Sequence, residues 1–124
     1  MYSVLIVDDS SFMRKWLMSI VAKGGYIISG EAKNGYEAIL QYRKLKPDLV
    51  LLDIHMPELA GNEVLKRIMA IDPDASIIMC SAIGSSFIVE ECLSLGAKDF
   101  VRKPNFGGLL DKMNQIIQMK NPDH

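Results

Sequence analysis

Apolar residues in this 124-residue chain gather in five short runs, at 4–7, 26–29, 49–52, 77–80 and 100–101. Between the runs they recur every three or four residues, which is helical spacing. After the first run, Phe12, Trp16 and Ile20 share one helical face, with Met13, Leu17 and Val21 beside them. Lys23 and the Gly24-Gly25 pair end that helix, because glycine accepts the left-handed backbone a helix C-terminus needs. Asn34, followed three residues later by Glu37, predicts a capped helix start, and Pro47 marks the stop. Val64, Leu65, Ile68, Met69 and Ile71 carry a third helix that stops before Pro73. Phe87, Ile88, Cys92 and Leu95 carry a fourth, closed by Gly96, and Leu109, Leu110, Met113, Ile116 and Ile117 carry a fifth. Residues 121–124 are polar and predict a frayed tail, which leaves 1–120 as one domain.

The pattern is strand then helix, five times over, with connections short enough to demand right-handed crossovers. The runs "VLIV" and "LVLL" are apolar at every position. A strand needs that only when both its faces are covered, as in a parallel sheet between two helical layers. The shorter, more mixed second and fifth runs predict edge strands. The expected fold is therefore α/β of the flavodoxin-like (βα)5 kind, a doubly wound parallel five-stranded sheet in the order 2-1-3-4-5 with helices on both faces.

Composition narrows the function classes. The chain is 49% hydrophobic and 23% charged, with a formal net charge of -1. That balance provides no basic footprint for direct nucleic-acid binding or for an anionic membrane surface. No apolar run approaches the ~20 residues that cross a bilayer, and no export signal precedes Asp8, so a cytoplasmic location is expected. Cys80 and Cys92 lack metal spacing and read as buried free thiols. The methionines read as core filler.

In such a sheet, ligands bind beyond the carboxyl ends of the strands. The first strand ends in Asp8 and Asp9, the third in Asp53, the fourth in Ser81, and the fifth in Lys103 followed by Pro104. Asp8 and Asp9 alone fit an acidic helix start. With Asp53 they make a triplet of carboxylates that is costly without a cation. An all-oxygen set favours Mg²⁺, with Mn²⁺ as a substitute. Lys103 adds a positive charge and Ser81 a hydroxyl, so the group could stabilise a tetrahedral anion on Asp53, and an aspartyl phosphate is established chemistry.

The stretches "VLIVDDSSFMR", "PDLVLLDIHMPELAGNEVL", "SIIMCSA" and "GAKDFVRKP" resemble the receiver domain of bacterial two-component response regulators, over nearly the whole chain. "DDSSFMRKWL", "IIMCSAIG" and "LGAKDF" are similar in particular to the single-domain chemotaxis regulators. The resemblance implies that Asp53 accepts a phosphoryl group from a sensor histidine kinase or phosphotransfer domain. It implies that Asp9 ligates Mg²⁺ directly and Asp8 through water, with Asp53 and the backbone carbonyl of His55 completing the set. Lys103 would pair with the phosphoryl oxygens, and the Lys103–Pro104 peptide bond would be cis. Ser81 would swing to the phosphoryl group and Phe100 would fill the vacated space, changing the face formed by the fourth helix, fifth strand and fifth helix. Phe100 taken alone fits simple packing. The implied partners are a kinase, a phosphatase and a downstream protein such as a flagellar motor switch.

Some positions depart from the commonest pattern. Ala60 stands where an aspartate is frequent, which bears on the start of the third helix. Asn105 follows Lys-Pro where a phenylalanine is common, with Phe106 able to take that packing role. His55 reads as a loop residue, Trp16 as core or rim packing, and Arg14 and Lys15 as a solvated face that helps dock a kinase in relatives. Competing readings are a phosphorelay intermediate, a receiver portion of a larger transcriptional regulator and a degenerate scaffold. An Mg²⁺-dependent phosphohydrolase would end a strand in D-x-D, whereas this chain has "DDS" and "DIH". A nucleotide or flavin binder would carry a glycine-rich loop, and none is present.

Overall fold

A computed structural model describes residues 1–122; the two last residues of the expected tail, 123–124, lie outside the described residues. Five strands, β1 (Ser3–Val7), β2 (Ile27–Ala32), β3 (Leu49–Asp53), β4 (Ile77–Ser81) and β5 (Asp99–Arg102), alternate with five helices. These are α1 (Ser11–Lys23), α2 (Gly35–Leu45), α3 (Gly61–Ile71), α4 (Ser86–Ser94) and α5 (Leu109–Lys120). All four strand pairings are parallel, in the order β2-β1-β3-β4-β5. The strand order switches between β1 and β3, so the carboxyl ends of these two strands open the crevice where a ligand can enter.

Strand alternation splits the core in two. Leu5, Val7, Val50, Leu52, Ile77, Met79 and Phe100 face α2, α3 and α4. Val4, Ile6, Leu49, Leu51, Ile78, Cys80 and Val101 face α1 and α5. β3 and β4 are buried along their whole length, which is why their sequences alternate with nothing polar until the last residue.

Several local expectations change. The second run predicted a strand from 26, but Tyr26 precedes β2, and the strand extends through the polar Gly30 and Glu31 to Ala32. An edge strand with one partner tolerates that polarity. On α1 the buried residues are Leu17 and Val21, while Phe12 is 70% exposed. Phe87 is likewise exposed on α4, and Met1 and Met119 are exposed rather than core filler. Periodicity names two adjacent apolar stripes, and only the sheet decides which one is covered.

Helix ends follow their local chemistry. The Asn34 side chain accepts the Glu37 N–H at 2.8 Å, and Glu37 reaches back to the Lys33 N–H at 3.2 Å. Ala60 leaves α3 without a side-chain cap. The Gly61 N–H instead donates to the Ile54 carbonyl at 2.8 Å. Phe106 is buried and meets the Trp16 ring edge-on at 5.2 Å.

Polar contacts tie the end of the sheet remote from the crevice, among them one between α2 and the end of α3. The buried Tyr42 hydroxyl donates to Asp72 Oδ2 at 2.7 Å. Burial, then this bond, pushes the phenol well above its ordinary value. The same bond, followed by the Asp74 N–H, holds the Asp72 carboxyl below its usual range. The folded state thus favours the carboxylate, a contribution present at neutral pH and lost as pH falls through the folded-state value. Tyr42→Phe is expected to lower stability by about 1 kcal/mol at neutral pH, with a smaller loss at about pH 3. Urea midpoints at the two pH values measure both, and equal losses would remove Asp72 from the account.

Candidate functional site

Carboxylates from two adjacent strand ends meet in the crevice. Asp8 follows β1 and is 1% exposed, Asp53 ends β3 and is 5% exposed, and Asp9 beside them is open to solvent. One oxygen from each lies within 4.8 Å of the others. The set is all oxygen, half-buried and open on the Asp9 side, which suits a hard divalent cation that keeps several waters.

The backbone around these residues is well tied. The Asp8 N–H donates to the Ala32 carbonyl at 3.1 Å, and Asp8 Oδ1 accepts the Ser10 N–H at 2.9 Å. Arg14 differs from its expected solvated role. Its guanidinium donates to the Asp8 carbonyl at 2.7 Å and to Glu31 Oε1 at 2.7 Å, with its side chain 14% exposed. One turn of helix brings Arg14 back over the β1 end, so it braces the strand end from which Asp8 hangs. Lys15 is exposed as expected. Behind Asp53, Gly61 approaches so closely that a Cβ there would collide with the Asp53 carbonyl oxygen. Only glycine lets α3 begin against the end of β3, a requirement written in "AGNEVL" but not readable without the packing.

Lys103 supplies the counter-charge. Its ammonium contacts Asp8 Oδ2 and lies 3.1 Å from Asp53 Oδ1, with its side chain 10% exposed. Burial pulls its pKa down, but the bond to Asp8 and the charges of Asp53 and Asp8 more than offset this and raise it. Lys103 is therefore cationic at neutral pH. The Asp53 carboxyl is pushed above its ordinary value, first by burial and further by Asp8, against the opposing pull of Lys103 and the His55 N–H. The Lys103–Pro104 bond is cis.

The other named residues border this cluster in different ways. His55 is exposed, and its N–H donates to Asp53 Oδ1 at 3.3 Å. It lines a cleft of about 530 Å³ with Asp9, Met56, Asn62 and Glu91. Ser81 is fully buried, and its hydroxyl is engaged in its own loop, donating to the Ile83 carbonyl at 2.9 Å and accepting the Ile83 N–H at 3.1 Å. Phe100 is 9% exposed, already within the core rather than outside it. Cys80 lies opposite Asp53 in the sheet, and burial pushes its thiol up to about 12, which keeps it protonated.

Known proteins are similar to this chain over most of its length. The response regulator receiver domain family matches residues 4–114. A chemotaxis protein CheY of Thermotoga maritima is 54% identical over 101 residues, covering 82% of this chain and 84% of that protein. A protein-glutamate methylesterase/protein-glutamine glutaminase of Bacillus licheniformis is 45% identical over 108 residues, 85% of this chain but 30% of that longer protein. Among solved structures, the CheX–CheY–BeF3–Mg²⁺ complex of Borrelia burgdorferi superposes with a TM-score of 0.86 at 39% identity. That match covers 96% of this chain and 88% of the other. No helix among the described residues is long and apolar enough to cross a membrane. With strand order, carboxylate cluster and sequence similarity in agreement across most of its length, this chain belongs to the response regulator receiver domain family and is a CheY-like member of it.

Proposed function

We propose that this chain is a phosphorylation-controlled response regulator of a two-component system, of the chemotaxis type, whose receiver unit spans residues 1–120. The observation that carries the reading is the trio Asp8, Asp9 and Asp53 within 4.8 Å, with the Lys103 ammonium against Asp8 and Asp53. Asp53 is the nucleophile. A carboxylate oxygen attacks phosphorus, the bond to the donor nitrogen of a kinase or phosphotransfer phosphohistidine breaks, and the histidine leaves. Asp8, Asp9, Asp53 and the His55 carbonyl would hold Mg²⁺, or Mn²⁺ in its place. When bound there, the metal offsets the charge of the transferring phosphoryl oxygens. Lys103 holds a phosphoryl oxygen from the other side, and its burial strengthens that interaction.

The acyl phosphate carries a charge of roughly -1.5 to -2 in place of the single carboxylate charge of Asp53, beside the two carboxylates Asp8 and Asp9. In this reading the Ser81 hydroxyl leaves Ile83 for the phosphoryl group, and Phe100 follows the loop that this movement releases. The changed α4–β5–α5 face then binds a downstream protein such as a flagellar motor switch, and a phosphatase or hydrolysis resets Asp53. No other enzymatic activity is needed, and the reading implies a cytoplasmic protein, where kinases of this kind present their phosphohistidine. The match to 30% of a longer methylesterase favours a second reading, a receiver portion of a larger regulator or a phosphorelay intermediate.

Intact mass after incubation with acetyl phosphate tests the reading. One phosphoryl adduct is expected with Mg²⁺ and none with chelator. Absence of an adduct, together with failure to bind the acyl-phosphate mimic beryllofluoride, would leave only a scaffold.

A further inference from the structure

Phe100 and Arg102 are two residues apart on β5, so their side chains leave the same face of the sheet. Gly84, in the loop between β4 and α4, sits between them. A Cβ on Gly84 would lie 2.9 Å from Phe100 Cε1 and 3.0 Å from Arg102 Nε. Arg102 aims two donors at one main-chain oxygen, with Nε at 3.1 Å and Nη2 at 2.6 Å from the Gly84 carbonyl. The preceding residue, Ile83, is held through both its N–H and its carbonyl by Ser81. Ser81 and Arg102 are themselves paired across β4 and β5. Two side chains from neighbouring strands thus pin two consecutive residues of one loop.

The two holds are coupled. For the Ser81 hydroxyl to turn toward Asp53 it must release Ile83, and Ile83 cannot move far while Gly84 is held. The Arg102 bond is charge-assisted and therefore among the stronger kinds, although its exposure weakens it. We propose that Arg102 is a positioning residue that latches the β4–α4 loop in the state where Ser81 is bonded to Ile83, and so sets how tightly a phosphoryl group is held at Asp53. This rests on the phosphoryl-site reading above. A latch on the resting state must be broken by the ligand, so removing it raises affinity.

The test is the affinity for beryllofluoride in saturating Mg²⁺, in salt high enough to screen the lost charge, for wild type and three variants. Arg102→Ala is expected to bind roughly three- to tenfold tighter. Gly84→Ala keeps the charge but would set a methyl 2.9 Å from Phe100 Cε1 and 3.0 Å from Arg102 Nε, so the arginine must give way and affinity is expected to shift in the same direction. Arg102→Lys keeps the charge and donates from one nitrogen only, so it falls between Arg102→Ala and wild type. Affinity for Mg²⁺ alone, which does not require the loop to move, stays within about twofold in all three. Unchanged or weaker beryllofluoride binding in Arg102→Ala overturns the latch while leaving the phosphoryl site intact. Wild type that binds no beryllofluoride overturns both.

Discussion

Asp53→Asn is expected to abolish the phosphoryl adduct from acetyl phosphate completely while leaving the protein folded. The amide is nearly isosteric but has no anionic oxygen to attack phosphorus. The same substitution should weaken Mg²⁺ binding by about tenfold or more, because one of three carboxylates is gone. Stability moves the other way. The folded protein raises the Asp53 pKa, chiefly through burial, so ionised Asp53 is penalised in the fold. That penalty is absent below the unfolded-state value and fully present above the folded-state value, so stability involving Asp53 falls as pH rises through it. Asparagine carries no such penalty. At neutral pH and without metal the urea midpoint of Asp53→Asn should therefore equal or exceed that of wild type, and the difference should shrink in acid. A persistent adduct in the variant would show that another residue is phosphorylated. A clear loss of stability at neutral pH would show that ionised Asp53 is stabilising in the fold.

Lys103→Ala should lower both stability and phosphoryl uptake. The ammonium contacts Asp8 and Asp53, both nearly inaccessible to water. Removing one partner of such a group leaves buried charge uncompensated, at about 3 kcal/mol or more. Cation binding offsets that loss, so saturating Mg²⁺ should raise the variant's thermal midpoint by more than it raises that of wild type. Uptake of phosphoryl from acetyl phosphate should fall by roughly 10²–10³-fold, the scale for losing one donor to a developing oxyanion. Thermal melts with and without Mg²⁺, beside a time course of intact mass, measure all of this. Uptake within about threefold of wild type would remove Lys103 from the phosphoryl site.

Both predictions concern groups visible in the sequence, and the rest of the structure shows why those groups were visible. Asp8, Asp9, Asp53, Ser81 and Lys103 each follow or end an apolar run. Once the runs are strands of one parallel sheet, all five must lie at its carboxyl edge, whatever the details of packing. Arg14 carries no such mark, and Arg102, although it follows the last run, carries no mark of what it reaches. Each is a cation at an ordinary position, one in a helix and one at a strand end, and only the folded backbone places the Asp8 and Gly84 carbonyls within their reach. Gly61 likewise looks like one turn glycine among nine until Asp53 is set behind it.

The order of elements, the doubly covered sheet and the gathering of three carboxylates with one lysine are legible from residue order alone, because hydrophobic period and strand direction are local properties that propagate through a parallel sheet. Tertiary structure decided which stripe of α1 is buried, that Ser81 is bonded to Ile83, that Phe100 is already inside, and that Lys103 leans on Asp8 as well as Asp53. Those outcomes depend on distances between atoms far apart in the chain, set by close packing of helices on the sheet, and no periodicity encodes them.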